Sequence, residues 1–585
     1  MALALETARR LVEQYGNTSY VWTIDSSLDL LRVHLADDHT LSGVPASDDP
    51  GADVVFVPLT SIVTVAIAAL PPPDDGDPDD IDPPDDGTPP FTDPPPVDDP
   101  DPTPPNPTPP DPEPPVVVVP DPPPATPVDP DPDPGEGWSN YPSDTRHTVF
   151  VANGGTDNGP GTREAPLASV AEALRRVQQG QARSVLFRRG DVFDQGLHLG
   201  GHNDGYPRIF GAYGDPQEDR PIFDVMGNGI HLPWGAPVSH LRFLDLDFQG
   251  SEGATGFDGT SEYQHRDILV EGCRFSDFGM GIVYQRFSTA PAHEIFTLKR
   301  CVIKDIARPG NNKQGLYVYN VNRVYVAGCF FDRIGSAPGY TASQFDHAVY
   351  FDNAPRGNVD TNPVFQNNVI ARSDGVQLRD GGLCHDNVFI DTWIAVSAGI
   401  ANNPVPGGVA FSAWHNALMG GGNINPGEPR GWGFRMSNIR DGHIHNNLIA
   451  NNVLGGMPMP FSIESRDGPV RDLLIAENDI IHWSTTEHDG TSSVWDGAGQ
   501  LVTLRNNRYT ADSQHWWLPN AAQVTRQGEQ VLRMSVPGVA NVPGNAGDSK
   551  EALLAKLAEQ RRYNWNEDLT GARMSAWLRE SVVRG

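Results

Sequence analysis

Cysteine is scarce: four residues in 585, Cys273, Cys301, Cys329 and Cys384, with no CxxC pair among them. That removes the usual spacing signals for a structural zinc or a redox dithiol. Long apolar runs are also missing. The best candidate, "VVFVPLTSIVTVAIAAL" (54–70), is shorter than a bilayer span, contains Pro58 and several threonines, and reads as a buried strand pair. The opening "MALALETARRLVEQYG" has no continuous apolar core. Glu6 interrupts it and its arginines follow the apolar residues, so no secretion signal is expected. Cationic side chains are few: 42 Lys and Arg against 75 Asp and Glu give a formal net charge of -33. A surface of that sign argues against a nucleic-acid backbone as partner.

The acid that is present is unevenly spread. Between Pro71 and Gly137 there are 19 Asp or Glu and no Lys or Arg. Proline fixes φ and removes donors there while the carboxylates repel one another, so residues 71–137 are expected to form an extended linker rather than a core. Residues 1–70 read as a small α+β attachment domain, with an amphipathic helix over Leu3 to Tyr15 and strand-like segments near Val21 and from Val54 to Ala69.

After the linker the composition turns globular and becomes periodic. "DLDF" (245–248), "GCRF" (272–275), "RCVI" (300–303) and "GCFF" (328–331) place Leu246, Cys273, Cys301 and Cys329 at near-equal intervals. "NNVI", "DNVF", "NNLI", "ENDI" and "NNRY" continue the pattern through Asn368, Asn387, Asn447, Asn478 and Asn507. Such a repeat predicts a solenoid whose coils bury their core only against their neighbours. The cysteines should then be inert core residues, and the asparagines an interior hydrogen-bonding ladder. The expected layout is 138–235 for a cap and first coils, 236–515 for the solenoid, and 516–585 for a C-terminal segment with short helices.

This block, with "TVFVANGGTDNGPGTREAPLASVAEAL" as its cap, resembles the right-handed parallel β-helix superfamily, which includes pectate-lyase-like enzymes, polysaccharide epimerases and bacteriophage tailspikes. The resemblance covers roughly residues 145–515. It implies a mainly β, right-handed parallel β-helix and, for spikes, a homotrimer. The Gly-rich "GGTDNGPGT" (154–162) lacks the GK[ST] ending of a phosphate loop and is assigned to a turn of the cap.

A second set of strands falls into register: "GIHLP", "GIVYQ", "GLYVY", "AVYFD", "GVQLR", "GFRMS" and "FSIE". Their inward positions, such as Val349 and Phe351 or Val376 and Leu378, are apolar. Their outward positions form two columns. One reads His231, Val283, Tyr317, Tyr350, Gln377, Arg435, Ser462 and the other Pro233, Gln285, Tyr319, Asp352, Arg379, Ser437, Glu464. Aromatic faces suit pyranose C–H surfaces, and carboxylate, guanidinium and amide groups suit hydroxyls or carboxylates. Asp352, Arg379, His347 and Tyr350 are therefore the catalytic candidates. Tyr317, Tyr319, Gln377, Arg435, Glu464 and Trp414 are the substrate-binding candidates, with His385 and His415 beside Trp414 as a weaker cluster.

The type of chemistry stays open at this level. Hydrolysis needs two carboxyl groups roughly 5–9.5 Å apart, a condition for Asp352 with Asp346 or Asp380 rather than with the distant Glu464. A lyase or epimerase needs a base and a cation to stabilise an enolate, roles that His347, Tyr350 and Arg379 would fill. No cofactor is required, although Asp-rich loops could hold Ca²⁺. The expected function is a virion tailspike that binds, and depolymerises if it is an enzyme, a host surface polysaccharide. Its N-terminal domain would meet other tail or capsid proteins. The alternatives are an extracellular bacterial polysaccharide lyase or C5-epimerase acting on a uronate polymer, and a non-catalytic structural or receptor-binding spike. Neither nucleic acid nor membrane insertion is expected.

Overall fold

The computed structural model describes the backbone of residues 19–21, 31–37, 40–45 and 55–58. It also describes 137–585 apart from 143–144, 288–291, 311, 353–362, 402–403, 424–429, 452–458, 484–500, 514–523 and 546. The chain divides into two units, residues 1–125 and 126–585. In the first, Ser19–Val21, Leu31–Asp37, Thr40–Pro45 and Val55–Pro58 form an antiparallel sheet in chain order. The expected helix over residues 3–15 and nearly all of the linker lie outside the described residues.

The second unit is a parallel β-helix. Sheets of 14, 13 and 10 strands run along it, and each full coil gives one strand to each in that order. The coil His293–Lys299, Val302–Lys304 and Gln314–Tyr319 is representative. Phe296, Leu298, Ile303, Leu316 and Val318 point into one continuous core with their counterparts above and below. Alternating apolar residues give the inward face, and each coil is completed only by its neighbours.

The corner from the 14-stranded to the 13-stranded sheet is built the same way in coil after coil. Two residues make it, and the first has a left-handed backbone: Gly272 (φ 68°), Gly328 (67°), Asn367 (58°), Asn446 (54°) and Asn506 (55°). Glycine and asparagine tolerate that conformation best. The second residue points inward and forms the ladder. Cys301 N–H donates to Cys329 Sγ (3.5 Å), and Cys329 N–H to Asn368 Oδ1 (2.9 Å). From there each backbone N–H donates to the next amide oxygen: Asn368 to Asn387, Asn387 to Asn416, Asn416 to Asn447, Asn447 to Asn478 and Asn478 to Asn507, at 2.9–3.1 Å. Two rungs are absent from the sequence reading. Asn416 fills the gap between Asn387 and Asn447, and Glu529 closes the ladder by accepting from Asn507 N–H at 3.0 Å. All four cysteines are buried and unbridged. Burial pushes the thiols of Cys273, Cys301 and Cys384 up, which keeps them protonated and unreactive.

The N-terminal end and one outer face of the solenoid are covered. Helix α1 (Val170–Gln178), capped by Ser169 Oγ on Glu172 N–H, lays Val170, Ala173 and Val177 over the first coil. After the last coil the tail runs back along the outside of the 13-stranded sheet. Helices α2 (Lys550–Ala558) and α3 (Gly571–Glu580) place Leu553, Leu554, Leu557, Met574 and Leu578 on Val369, Val388, Ala417, Leu448 and Ile481. A second apolar core therefore covers that sheet. Among the described residues no helix is long and apolar enough to cross a membrane.

Candidate functional site

With one outer face covered by the tail, the 10-stranded sheet stands out by its connections. From Ser239 onward the corners between the other two sheets keep two residues, whereas the connections of the 10-stranded sheet range from one residue, 320, to long stretches such as 333–346 before it and 464–472 after it. In those coils the long connections lie at the edges of the 10-stranded sheet.

The floor has a regular register. Tyr317 pairs with Tyr350, Tyr350 with Gln377, Gln377 with Ser397, Ser397 with Arg435 and Arg435 with Ser462. Tyr319 pairs with Asp352 in the next column. Three strands are additional to the sequence reading, the first being Leu197–His198, whose His198 pairs with His231. Thr255–Asp258 inserts Asp258 between His231 and Val283, and Ile394–Ala398 inserts Ser397 between Gln377 and Arg435. Both inserted strands are short and lean on Gly, Ala or Ser, so their apolar-polar alternation is faint.

At the centre, Arg379 Nη1 lies 3.5 Å from Asp352 Oδ2, and the guanidinium sits 4.5 Å from the centre of the Tyr350 ring. Among the described residues Arg379 Nε meets no hydrogen-bond partner. Tyr317 packs against Tyr350 (5.3 Å between centroids) and against Tyr319 (6.4 Å). Burial first, and then the Asp352 carboxylate, push the Tyr317 phenol well above its ordinary range. The Tyr317 phenol is therefore held in its protonated form.

His347 is the first residue of its strand. It shares strand parity with Val349 and Phe351 and is buried, with Nδ1 2.6 Å from Asp374 Oδ2. Its ring lies against Tyr350 at 5.3 Å. Asp374 also accepts Ile394 N–H at 3.0 Å, so the carboxylate ties two coils together beneath the aromatic floor. Sequence reasoning missed Asp374, because nothing in "SDGVQL" marks it as facing a histidine one coil away.

The other carboxylates weighed for hydrolysis have different surroundings. Asp346 is buried in an ion pair with Lys313 (3.0 Å) and accepts the backbone N–H groups of Lys313 and Ser343. Glu464 is four coils from Asp352, roughly 19 Å at ~4.8 Å per coil. It is held by both Arg435 Nε (2.7 Å) and Nη2 (3.0 Å), with Trp432 under the guanidinium at 5.1 Å. That cluster makes a separate polar-aromatic patch farther along the same face. Asp380 stands half-buried in the corner just after Arg379.

Trp414 belongs elsewhere. It lies on the 14-stranded sheet, and its faces are occupied by His385 (4.2 Å, 7° between planes) and His445 (6.0 Å, 6°). A ring stacked on both sides offers no face to a sugar. The neighbouring His385 and His415 both turn to Asp386, at 2.8 and 3.5 Å. Strand parity shows that Trp414 points outward but not on which of three sheets. Among the described residues no group of three or more His, Cys, Asp or Glu is arranged to hold a metal ion.

No protein-family model matches the chain, and no curated protein matches it. Among solved structures it is similar to a GH136 lacto-N-biosidase from Eubacterium ramulus, at 13% identity over 66% of this chain and 67% of that one, with a TM-score of 0.33. It is also similar to tailspike protein 3 of bacteriophage CBA120, at 12% identity over 65% of this chain and 61% of that one, with a TM-score of 0.30. The assignment of the fold rests on the sheet order and register described above.

Proposed function

We propose that the outer face of the 10-stranded sheet binds a polysaccharide, with Tyr317, Tyr319 and Tyr350 as the stacking floor and Asp352 and Arg379 as its polar centre. The observation that carries this reading is the coincidence of three features on one face. Stacked half-buried tyrosines, an arginine with an unused N–H and the long flanking connections all fall there, while the other two faces show a covering tail and a self-stacked histidine–tryptophan column. In this reading the chain is a virion spike whose target is a host surface glycan, its first domain the attachment point and residues 71–137 the tether. A homotrimer is the expected assembly.

The test is glycan binding by the full chain together with two product assays, new reducing ends for hydrolysis and ultraviolet absorbance of an unsaturated uronate for elimination. Tyr319→Ala, Asp352→Ala and Arg379→Ala should each weaken binding or turnover at least about tenfold, with unchanged circular dichroism. Gln285→Ala, two coils before Asp352, should have little effect. If Asp352→Ala and Arg379→Ala are silent in all three assays, this face is an ordinary solvated sheet.

A further inference from the structure

On the same side of the solenoid, nearer its N-terminal end, three exposed aromatics gather where the 10-stranded sheet turns into the 14-stranded one. Trp234 (41% exposed) and Phe287 (62%) lie 5.5 Å apart, and Tyr263 (45%) sits on the coil between them. The corners beneath them are tied coil to coil. Ser261 Oγ donates to Trp234 O (2.9 Å), Ser261 N–H to Gln285 O (3.0 Å) and Phe287 N–H to Ser261 O (3.3 Å). The platform is thus fixed by backbone bonds while its ring faces stay in solvent, the opposite of Trp414. Exposed aromatics held this way exist at a cost in solubility, and a ligand explains them better than packing does.

The residue beside Phe287 supplies the second observation. Arg286 is 5% exposed, yet its Nε and Nη1 meet no hydrogen-bond partner among the described residues. Among the described residues no carboxylate pairs with it. Its charged neighbours offer no relief, because its cation instead helps to depress the pKa values of the buried His265 and His293. A buried guanidinium without a counter-charge is an open demand for an anion, and its planar fork matches a carboxylate. Its backbone N–H donates to Tyr319 O at 3.1 Å, so this corner adjoins the tyrosine floor directly.

We propose that Trp234, Phe287 and Arg286 form a second subsite that binds a carboxylate-bearing sugar unit, the ring on the aromatic platform and the carboxylate on Arg286. This rests on reading the adjoining face as glycan-binding. It narrows the substrate class to acidic polysaccharides.

The probes are polygalacturonate, alginate and hyaluronan, beside carboxyl-reduced polygalacturonate as the neutral counterpart, each titrated against the full chain at low and high sodium chloride. Trp234→Ala and Phe287→Ala, exposed positions that leave the core untouched, should each weaken binding to a carboxylated chain about tenfold. Arg286→Gln should abolish the preference for the carboxylated over the reduced polymer and flatten the salt dependence. Should that buried variant fail to fold, the two aromatic variants decide alone. The subsite is overturned if the parent protein binds none of the three acidic polymers, or if both aromatic variants bind as the parent does. Tyr319→Ala reports on the floor separately. Loss there with Trp234→Ala silent removes the corner and keeps the face. Loss in Trp234→Ala with Tyr319→Ala silent keeps the corner and removes the floor.

Discussion

Arg562 donates from Nε to Oδ2 of Asp245 at 2.6 Å, across 317 residues of chain. Asp245 is fully buried and also accepts from Tyr141 Oη (2.7 Å) and Arg189 Nη2 (3.2 Å). The same guanidinium donates to Ser139 O (3.0 Å) and lies 4.7 Å from the centre of the Trp138 ring. One side chain of the tail thereby fastens the entry segment to an early coil. Arg562→Ala should cost roughly 3–5 kcal/mol, because a buried carboxylate loses a partner and cannot regain water. Chemical denaturation of the 126–585 unit would show it, and an unchanged midpoint would make the tail a passive cover.

The ladder gives a second prediction. Asn416 Oδ1 accepts both the N–H and the Nδ2 of Asn387, at 3.1 and 2.9 Å, while Asn416 Nδ2 donates to Cys384 O at 2.9 Å. Asn416→Ala leaves two donors and one acceptor buried without partners, a loss of at least about 3 kcal/mol. Asn451→Ala, on the surface side of a later corner, should cost far less. Equal unfolding midpoints for the two variants would show that the ladder contributes no more than an ordinary turn.

How far the sequence led depends on which property was local. The ladder was legible because one residue type recurs at one corner, and it faded where the type changed, at Glu529, while Asn416 was passed over although its spacing of 29 and 31 residues from its neighbours is regular. The tyrosine floor was legible from strand parity alone, since Tyr317, Tyr319, Tyr350 and Asp352 alternate with buried Leu316, Val318, Val349 and Phe351. Parity failed at Trp414, where the choice among three sheets matters. Asp374 and Arg286 were invisible because their importance lies in a partner, or the lack of one, across a corner.

Acid should destabilise the solenoid in two stages. Burial, then the charges of His443 and His415, pull the His445 pKa down to about 4, and burial with the nearby Arg286 pulls His265 to about 3. Each is neutral in the fold but takes up a proton near pH 6.5 when unfolded. Their stabilising contribution is therefore complete above about pH 6.5 and falls progressively toward pH 4 and then pH 3. His445→Phe keeps a ring against Trp414 and removes the titration, so its stability should fall less between pH 6 and 4 than the parent's, about the range of that pKa. Parallel pH curves for the two proteins would show that His445 titrates normally.

The last prediction concerns what lies under the tyrosine floor. His347 is buried, its Nδ1 is taken by Asp374, and its ring rests on Tyr350, which in turn carries Arg379. With Nδ1 committed to Asp374 and its ring packed on Tyr350, this imidazole is placed to hold the tyrosine. His347 is therefore expected to act as a positioning residue. His347→Ala and Asp374→Asn should both weaken glycan binding, by lowering the Tyr350 ring and releasing Arg379, and any turnover should fall through KM more than through kcat. His347→Phe, which restores a ring beneath Tyr350 without a proton to give, should recover much of the binding lost in His347→Ala. Retained binding with turnover abolished in both His347→Ala and His347→Phe would reverse this assignment, because only a proton-transfer role is lost when shape is kept.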